Sequence, residues 1–455
     1  MFTEKFEELK GYLIRNGKFS YKRRNNFLPF TTNKNQRVTF ENGMYPIIGA
    51  LSRLLCGKDV KSVGKLNVAE NVLNNENFEV DSGDEFYANR LINEYLGGDK
   101  LNILHPKLFL YLPLDDDERA NSEIKFAYFI KSQFCDNISF DEFFNVNDSN
   151  FNSNILVEFI VENLGDLSDG EYVSEFVTPE PMKEIIEVFH EDIQFLLLNH
   201  KDYLTKNFDN LLAFYLYFYF IQFTLKSALN SESKELKKTY YLLDWENISK
   251  NRSSVKLGYN RVNDYLKSLL IRVDAIEHLN FVFETEGLLP YELFSYYERL
   301  DDSLKSEFIV SFQSWIKYVR SEENLDEIEL SDDFKQLFSE YLETISDSYS
   351  LNKSRHGTVS RYKLTIEDLG KKYFLKRRGR YGYMFNITQG MLIFVTSLCI
   401  KEDKIRITQL FEEYEHRGLF FDRDSRESIL ELFNKLNLID KKSDSGDIQY
   451  VKSIL

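Results

Sequence analysis

Apolar residues along this chain recur mostly at spacings of three and four, and strict alternation is rare, so the pattern predicts a mainly α protein. Phe6, Leu9 and Leu13 mark an opening helix over residues 3–15. Ile47, Leu51, Leu54 and Leu55 form the stripe of a second helix between Glu41 and Cys56, with Pro46 near its first turn, where a missing N–H is tolerated. KLFLYLPL, within residues 102–114, reads as a strand. TPEPMKEIIEVF starts a helix behind Pro179 and Pro181, and from there to about Ile345 nearly everything has helical period. Leu304, Phe308, Phe312, Trp315 and Val319 form one stripe; Phe334, Leu337, Phe338, Tyr341, Leu342 and Ile345 form another. The run Leu211–Leu225 is apolar around its whole circumference, which predicts a helix buried on all sides. With Asn210 it has 16 uncharged residues, short of the roughly 18–20 that span a bilayer. No membrane segment is expected.

The last seventy residues change period several times. NITQGMLIFVTSLCI is a helix that Asn386 or Thr388 can cap, with Met391, Leu392, Val395 and Leu398 at helical spacing. KIRI (residues 404–407) alternates like a short strand. TQLFEEYEHRG is a second helix, its end marked by Gly418 in a position that suits left-handed backbone. Asp424 with Glu427 resembles a capping box for a third helix, whose Ile429, Leu430, Phe433 and Leu436 face one way. LIDKK and IQYVKSIL then flank the turn cluster 443–447 as a β-hairpin. Helix, strand, helix, helix and hairpin make a winged helix-turn-helix. In such a module the third helix enters a DNA groove and the wing touches the backbone. Arg423, Arg426, Asn434 and Lys435 on the third helix and Lys441, Lys442 and Lys452 in the wing are the candidates. Glu427, Glu431, Asp444 and Asp447 oppose them, so docking to a protein stays open as the alternative.

At 455 residues the chain has room for several domains, and 43% hydrophobic content belongs to a folded protein. The formal net charge is −16, so any nucleic-acid contact must come from local basic patches. One such patch stands out. Between Leu351 and Arg380 ten basic residues face two acidic ones, leaving that window at +8 and the rest of the chain at −24. Its Lys371, Lys372, Lys376, Arg377, Arg378 and Arg380 lead directly toward the terminal module and are candidates for phosphate contact. The organisation expected is an α-rich N-terminal domain (1–170), a helical bundle (171–345), a basic linker or arm (346–385) and a winged helix (386–455).

Other chemistry is faint. Phe19, Tyr21, Phe27 and Phe30 lie among basic residues between Lys10 and Arg37, an arrangement that grips a nucleic-acid strand or simply pins a loop to the core. GKDVKSVGKL lacks the spacing of a phosphate-binding loop, and Leu66 stands where Ser or Thr should bind magnesium. Asp117, Glu123 and Lys125 carry a thin resemblance to a metal-dependent nuclease site, although Glu123 reads as helical. The six histidines show no metal-ligand spacing, and Cys56, Cys135 and Cys399 are too far apart for a zinc knuckle. No catalytic residue, metal or cofactor is expected, and the cysteine usage with no signal peptide fits a cytoplasmic chain.

The strings YGYMFNITQGMLIFVTSLCI, RGLFFDRDSRESILELFNKLNLIDKKSDSGDIQYVKSIL and FVTPEPMKEIIEVFHEDIQFLLLNHKDYL resemble the DptG (DndG) proteins of bacterial systems that restrict DNA lacking phosphorothioate modification. The resemblance is strongest over residues 176–225 and 380–455. It implies a cytoplasmic defence component that works with two larger partners, DptF and DptH (DndF and DndH), the latter with helicase-like ATPase features. It carries no active-site residues. The expected function is therefore a non-catalytic subunit of a phosphorothioation-dependent restriction complex that binds double-stranded DNA, links its partners, or does both; a pure assembly adaptor is the alternative.

Overall fold

The computed structural model describes residues 1–15, 18–22, 26–61, 81, 83–96, 102–115, 117–145, 157–158, 161, 164–172, 176–229, 233–351, 353–441 and 449–455. Helix dominates, and the described strands form three small sheets. The chain divides into two units, one of residues 1–34, 176–188 and 215–454, the other of residues 35–175, 189–214 and 455. No helix among the described residues is long and apolar enough to cross a membrane.

In the smaller unit helix Tyr45–Leu55 packs on helix Ala120–Phe134. Gly49 permits a close approach, since a Cβ there would lie 2.4 Å from the Leu112 carbonyl oxygen. The run expected as a strand is instead a 3₁₀ turn, Pro106–Tyr111, capped by the His105 ring, which accepts from the Lys107 N–H. Pro106 favours the turn, because its fixed φ suits the first helical position and its missing N–H costs nothing there; Leu108 to Leu112 are all buried.

In the larger unit helix Phe2–Leu13 buries Phe2, Phe6, Leu9 and Leu13 against helices Leu269–Val282 and Asp302–Glu322. The Phe6 ring stacks on Phe312 at 5.7 Å between centroids. The two predicted stripes are core: Phe308, Phe312, Trp315 and Val319 on helix Asp302–Glu322, and Phe334, Leu337, Phe338, Tyr341 and Ile345 on helix Phe334–Ser350. Each helix starts on an aspartate cap, Asp301 accepting from the Leu304 N–H and Asp333 from the Gln336 N–H. In helix Lys201–Lys226 every residue from 211 to 226 is buried, as its all-round apolar surface predicts. The aromatics among the N-terminal basic residues belong to this core. Phe30 meets Phe220 at 4.8 Å and Tyr362 at 5.4 Å, and Phe27 meets Phe223 at 5.9 Å, so those rings are not free to grip a strand.

Eight short strands are described: β1 (Ile14–Arg15), β2 (Lys18–Phe19), β3 (Leu242–Leu243), β4 (Leu375–Arg377), β5 (Tyr383–Ile387), β6 (Lys404–Arg406), β7 (Ile439–Lys441) and β8 (Gln449–Lys452). β1 and β2 pair antiparallel. β5 lies between β3, to which it runs parallel, and β4, to which it runs antiparallel. β8 lies between β6 and β7, antiparallel to both.

Candidate nucleic-acid interface

The charge run from 351 to 380 is folded. It forms helices Lys353–Tyr362 and Leu364–Tyr373, then β4, a 3₁₀ turn at Gly379–Tyr381 and β5. Val359, Tyr362, Ile366 and Leu369 are buried, a helical stripe that the dense charge conceals. Gly370 allows the second helix to approach Tyr217, whose hydroxyl would be 2.7 Å from a Cβ at that position.

Most of the cations in this stretch have internal partners. Arg355 pairs with Glu323, and Arg361 Nε donates to the Thr32 carbonyl at 2.8 Å. Lys363 binds Glu367 at 2.5 Å, and Lys371 lies 3.7 Å from Glu367 and 3.9 Å from Asp368. Lys372 is exposed and also engaged. Lys376 Nζ reaches Asp244 at 2.8 Å. Burial alone would raise the Asp244 pKa, but hydrogen bonds from Lys376 and Asn386 outweigh it and hold the carboxyl below its ordinary value. Arg378 ties the hairpin to the neighbouring strand, donating to the carbonyls of Leu243 (2.8 Å) and Glu246 (3.2 Å) and to Asn386 Oδ1 (2.7 Å).

Two arginines stand apart. Arg377 is exposed and, among the described residues, has no hydrogen-bond or ion-pair partner; it sits directly opposite Tyr383 in the β4–β5 register. Arg380, among the described residues, lies over the adjacent Tyr381 ring, 5.0 Å from its centroid, and donates to that hydroxyl at 3.0 Å. The β4–β5 turn needs left-handed backbone at Gly379 (φ +53°) and Gly382 (φ +70°), and among the described residues neither has a heavy atom within 4 Å of where a Cβ would be. The tip is open.

The terminal stretch follows the expected element order. Thr388 caps helix Gln389–Cys399 by accepting from the Met391 N–H, while Asn386 lies within β5. Helix Ile407–His416 ends at Gly418, whose φ of +74° is left-handed. That glycine is doubly required, because a Cβ would come 2.2 Å from the Phe218 ring. Helix Arg423–Lys435 begins not at Asp424 but at Asp422, which accepts from the Ser425 N–H. The selection is tertiary. The buried Arg252 guanidinium grips Asp422 with Nε to Oδ2 at 2.7 Å and Nη2 to Oδ1 at 2.6 Å, and Nη2 also reaches Ser425 Oγ at 2.7 Å. Ser425 Oγ in turn donates to Glu246 at 2.9 Å. The Tyr241 N–H donates to the Phe420 carbonyl at 2.9 Å. These contacts join the start of the third helix to residues 241–252 within the larger unit.

The candidates on this stretch separate in the same way. Arg426 is engaged within the chain: Nε donates to the Phe421 carbonyl at 3.0 Å, Nη2 reaches Glu415 at 2.5 Å, and the guanidinium lies 4.7 Å from the Phe411 centroid. Arg423 is 89% exposed and pairs with Glu427 at 2.9 Å. Asn434 and Lys435 are exposed on the last turn, and among the described residues Lys435 has no partner. The accessible side of this helix also carries Asp424, Glu427 and Glu431. Lys441 ends β7, whereas Lys442 and the turn cluster 443–447 lie outside the described residues. Lys452 is exposed on β8. An exposed cation that sequence reasoning missed is Arg406 at the end of β6, because only the strand register reveals its neighbours.

The residues weighed as a nuclease site have structural partners. Glu123 is 2% exposed and accepts from the Asp115 N–H at 3.0 Å; burial above all pushes its pKa up to about 8. Asp117 is engaged by Arg119 Nε at 2.8 Å, and Lys125 is engaged as well. Among the described residues no group of three or more His, Cys, Asp or Glu side chains is placed to hold a metal ion. No family model matches this chain, and no curated protein matches it.

Proposed function

We propose that this chain is a non-catalytic subunit of a phosphorothioation-linked DNA restriction complex, of the DptG (DndG) kind that its sequence resembles. In this reading residues 386–455 are a winged helix. That module and the hairpin before it touch duplex DNA, while DptF- and DptH-like partners supply ATP-driven work and cleavage in the cytoplasm. The observation that carries it is the distribution of unspent charge: in a chain of net charge −16, Arg377, Arg380 and Lys435 stay exposed with no carboxylate partner among the described residues, on the hairpin and at the end of the third helix. Phosphates are the natural counter-charge for such cations, and each contact adds sequence-independent, salt-sensitive affinity.

Fluorescence anisotropy with a labelled 30-base-pair duplex tests the reading on the purified full chain. Wild type should bind, more weakly as salt rises, and the triple variant Arg377→Ala/Arg380→Ala/Lys435→Ala should bind at least tenfold more weakly at 100 mM salt, each lost phosphate contact taking its share of the salt slope. Equal affinity in the variant defeats the assignment.

A second reading is an assembly adaptor whose third helix docks a protein partner. Asp424, Glu427 and Glu431 favour it, since they would repel a phosphate backbone along the helix that should enter the groove. An adaptor shows no DNA shift alone and loses its partner in pull-downs when Glu427 and Glu431 become Lys.

A further inference from the structure

We propose that the solvent face of the β6–β8–β7 sheet is a second phosphate-binding surface, distinct from the third helix and from the β4–β5 hairpin, and that it receives the backbone of duplex DNA. The proposal rests on the DNA-contact reading above. It starts from strand register. β6 and β8 pair with Lys404 opposite Lys452, Ile405 opposite Val451 and Arg406 opposite Tyr450. Val451 is fully buried, so its face packs inward with Ile405 and Ile439, and the helix Ile407–His416 lies against both strands. Side chains alternate along a strand, so Lys404, Arg406, Tyr450 and Lys452 share the other face.

That face is electrostatically unbalanced. Directly opposed residues in an antiparallel pair have Cα atoms about 4.5–5.5 Å apart, and like charges so placed repel. Lys404 is relieved by Asp440, 2.6 Å away on β7, and its ammonium lies 5.4 Å from the Tyr450 ring centroid. Arg406 and Lys452 are exposed and have no partner among the described residues. Among the described residues, three strand cations and one strand carboxylate therefore share one side of the sheet, with Asp403 beside Lys404 just before β6 and spacings of roughly 5–7 Å set by the strand geometry. An array of anions at similar intervals neutralises them all at once, and a phosphodiester backbone is such an array. Tyr450 adds a hydroxyl that can donate to a phosphate oxygen.

The test uses the full chain, a labelled 30-base-pair duplex and anisotropy from 50 to 300 mM salt. Arg406→Ala/Lys452→Ala should bind roughly tenfold more weakly at 100 mM, and the slope of log K against log salt should shrink by about 2, one unit for each phosphate released. Arg406→Lys/Lys452→Arg, which keeps the charge, should retain both affinity and slope. Unaltered slope and affinity in the alanine variant, with wild type binding normally, overturn this surface and leave the hairpin and third helix standing. Wild type that does not bind defeats the DNA reading and this one with it. Poly-glutamate offered in place of DNA is the third arm: if its binding falls in the alanine variant while DNA binding does not, the face serves an acidic protein and the proposal fails.

Discussion

Replacing Arg252 with Met should loosen the third helix of the terminal module more than any single change on its surface. Arg252 and Asp422 stand 170 residues apart in sequence, and their side chains are 6% and 11% exposed. Methionine preserves most of the aliphatic volume but leaves Asp422, Glu246 and Ser425 facing one another without the guanidinium that joins them. Breaking a buried ion pair by removing one partner costs about 3–5 kcal/mol, because the remaining charge is stranded. Asp422 keeps its cap to the Ser425 N–H, which places the expected loss toward the lower end, about 3 kcal/mol. Urea unfolding followed by tryptophan fluorescence at pH 7 measures it. The pH dependence gives an independent check. Burial would raise the Asp422 pKa, but Arg252 and the Ser425 N–H hold it below the ordinary 3.8. A carboxylate depressed in the folded state contributes stability above its unfolded pKa and loses it as pH falls through the folded value. The gap between wild type and variant should therefore be full above about pH 5 and narrow below pH 4. A loss under 1 kcal/mol at pH 7, or a gap that does not narrow in acid, refutes the assignment of Arg252 as the clamp.

Gly418→Ala should destabilise by on the order of 3 kcal/mol, since alanine must adopt a positive φ and its methyl meets the Phe218 ring; an unchanged urea midpoint would contradict that packing. Arg377 and Arg378, adjacent in sequence, should behave oppositely. Arg378→Ala should cost about 2 kcal/mol through its lost hydrogen bonds, whereas Arg377→Ala should leave stability within about 0.5 kcal/mol and weaken DNA binding. Asp274, buried beside Tyr349, has a pKa pushed up to about 8 by desolvation and then by Glu277. A carboxyl raised in the folded state favours folding at low pH and loses that contribution as pH rises from about 4 to about 8, so Asp274→Asn should match wild type at pH 4 and exceed it in thermal stability at pH 8.5.

Local chemistry made much of the terminal stretch readable. Thr388 could cap because its hydroxyl precedes an apolar period, and Gly418 could end a helix because left-handed backbone favours glycine there. The charge run misled for a physical reason: Lys and Arg at helix surfaces dominate the count, while Val359, Tyr362, Ile366 and Leu369 between them form the stripe that folds the segment. Nothing local distinguishes Asp422 from Asp424 as a cap. The distant Arg252 reaches both but holds Asp422 the closer, its Nε 2.7 Å from Asp422 and 3.5 Å from Asp424. Likewise, which candidate cations are free depends on carboxylates far along the chain, such as Asp244 beside Lys376, or on the next helix, such as Glu415 beside Arg426. Register was equally invisible, and with it the neighbours of Arg406.

Hydrogen–deuterium exchange of the full chain with and without a 30-base-pair duplex tests the central claim most directly, because it reports where DNA lies without altering any residue. Protection on adding DNA should concentrate in residues 375–387 and 404–452. Protection elsewhere with those segments unchanged, or none at DNA concentrations that saturate anisotropy, would contradict the claim that this end of the chain meets DNA.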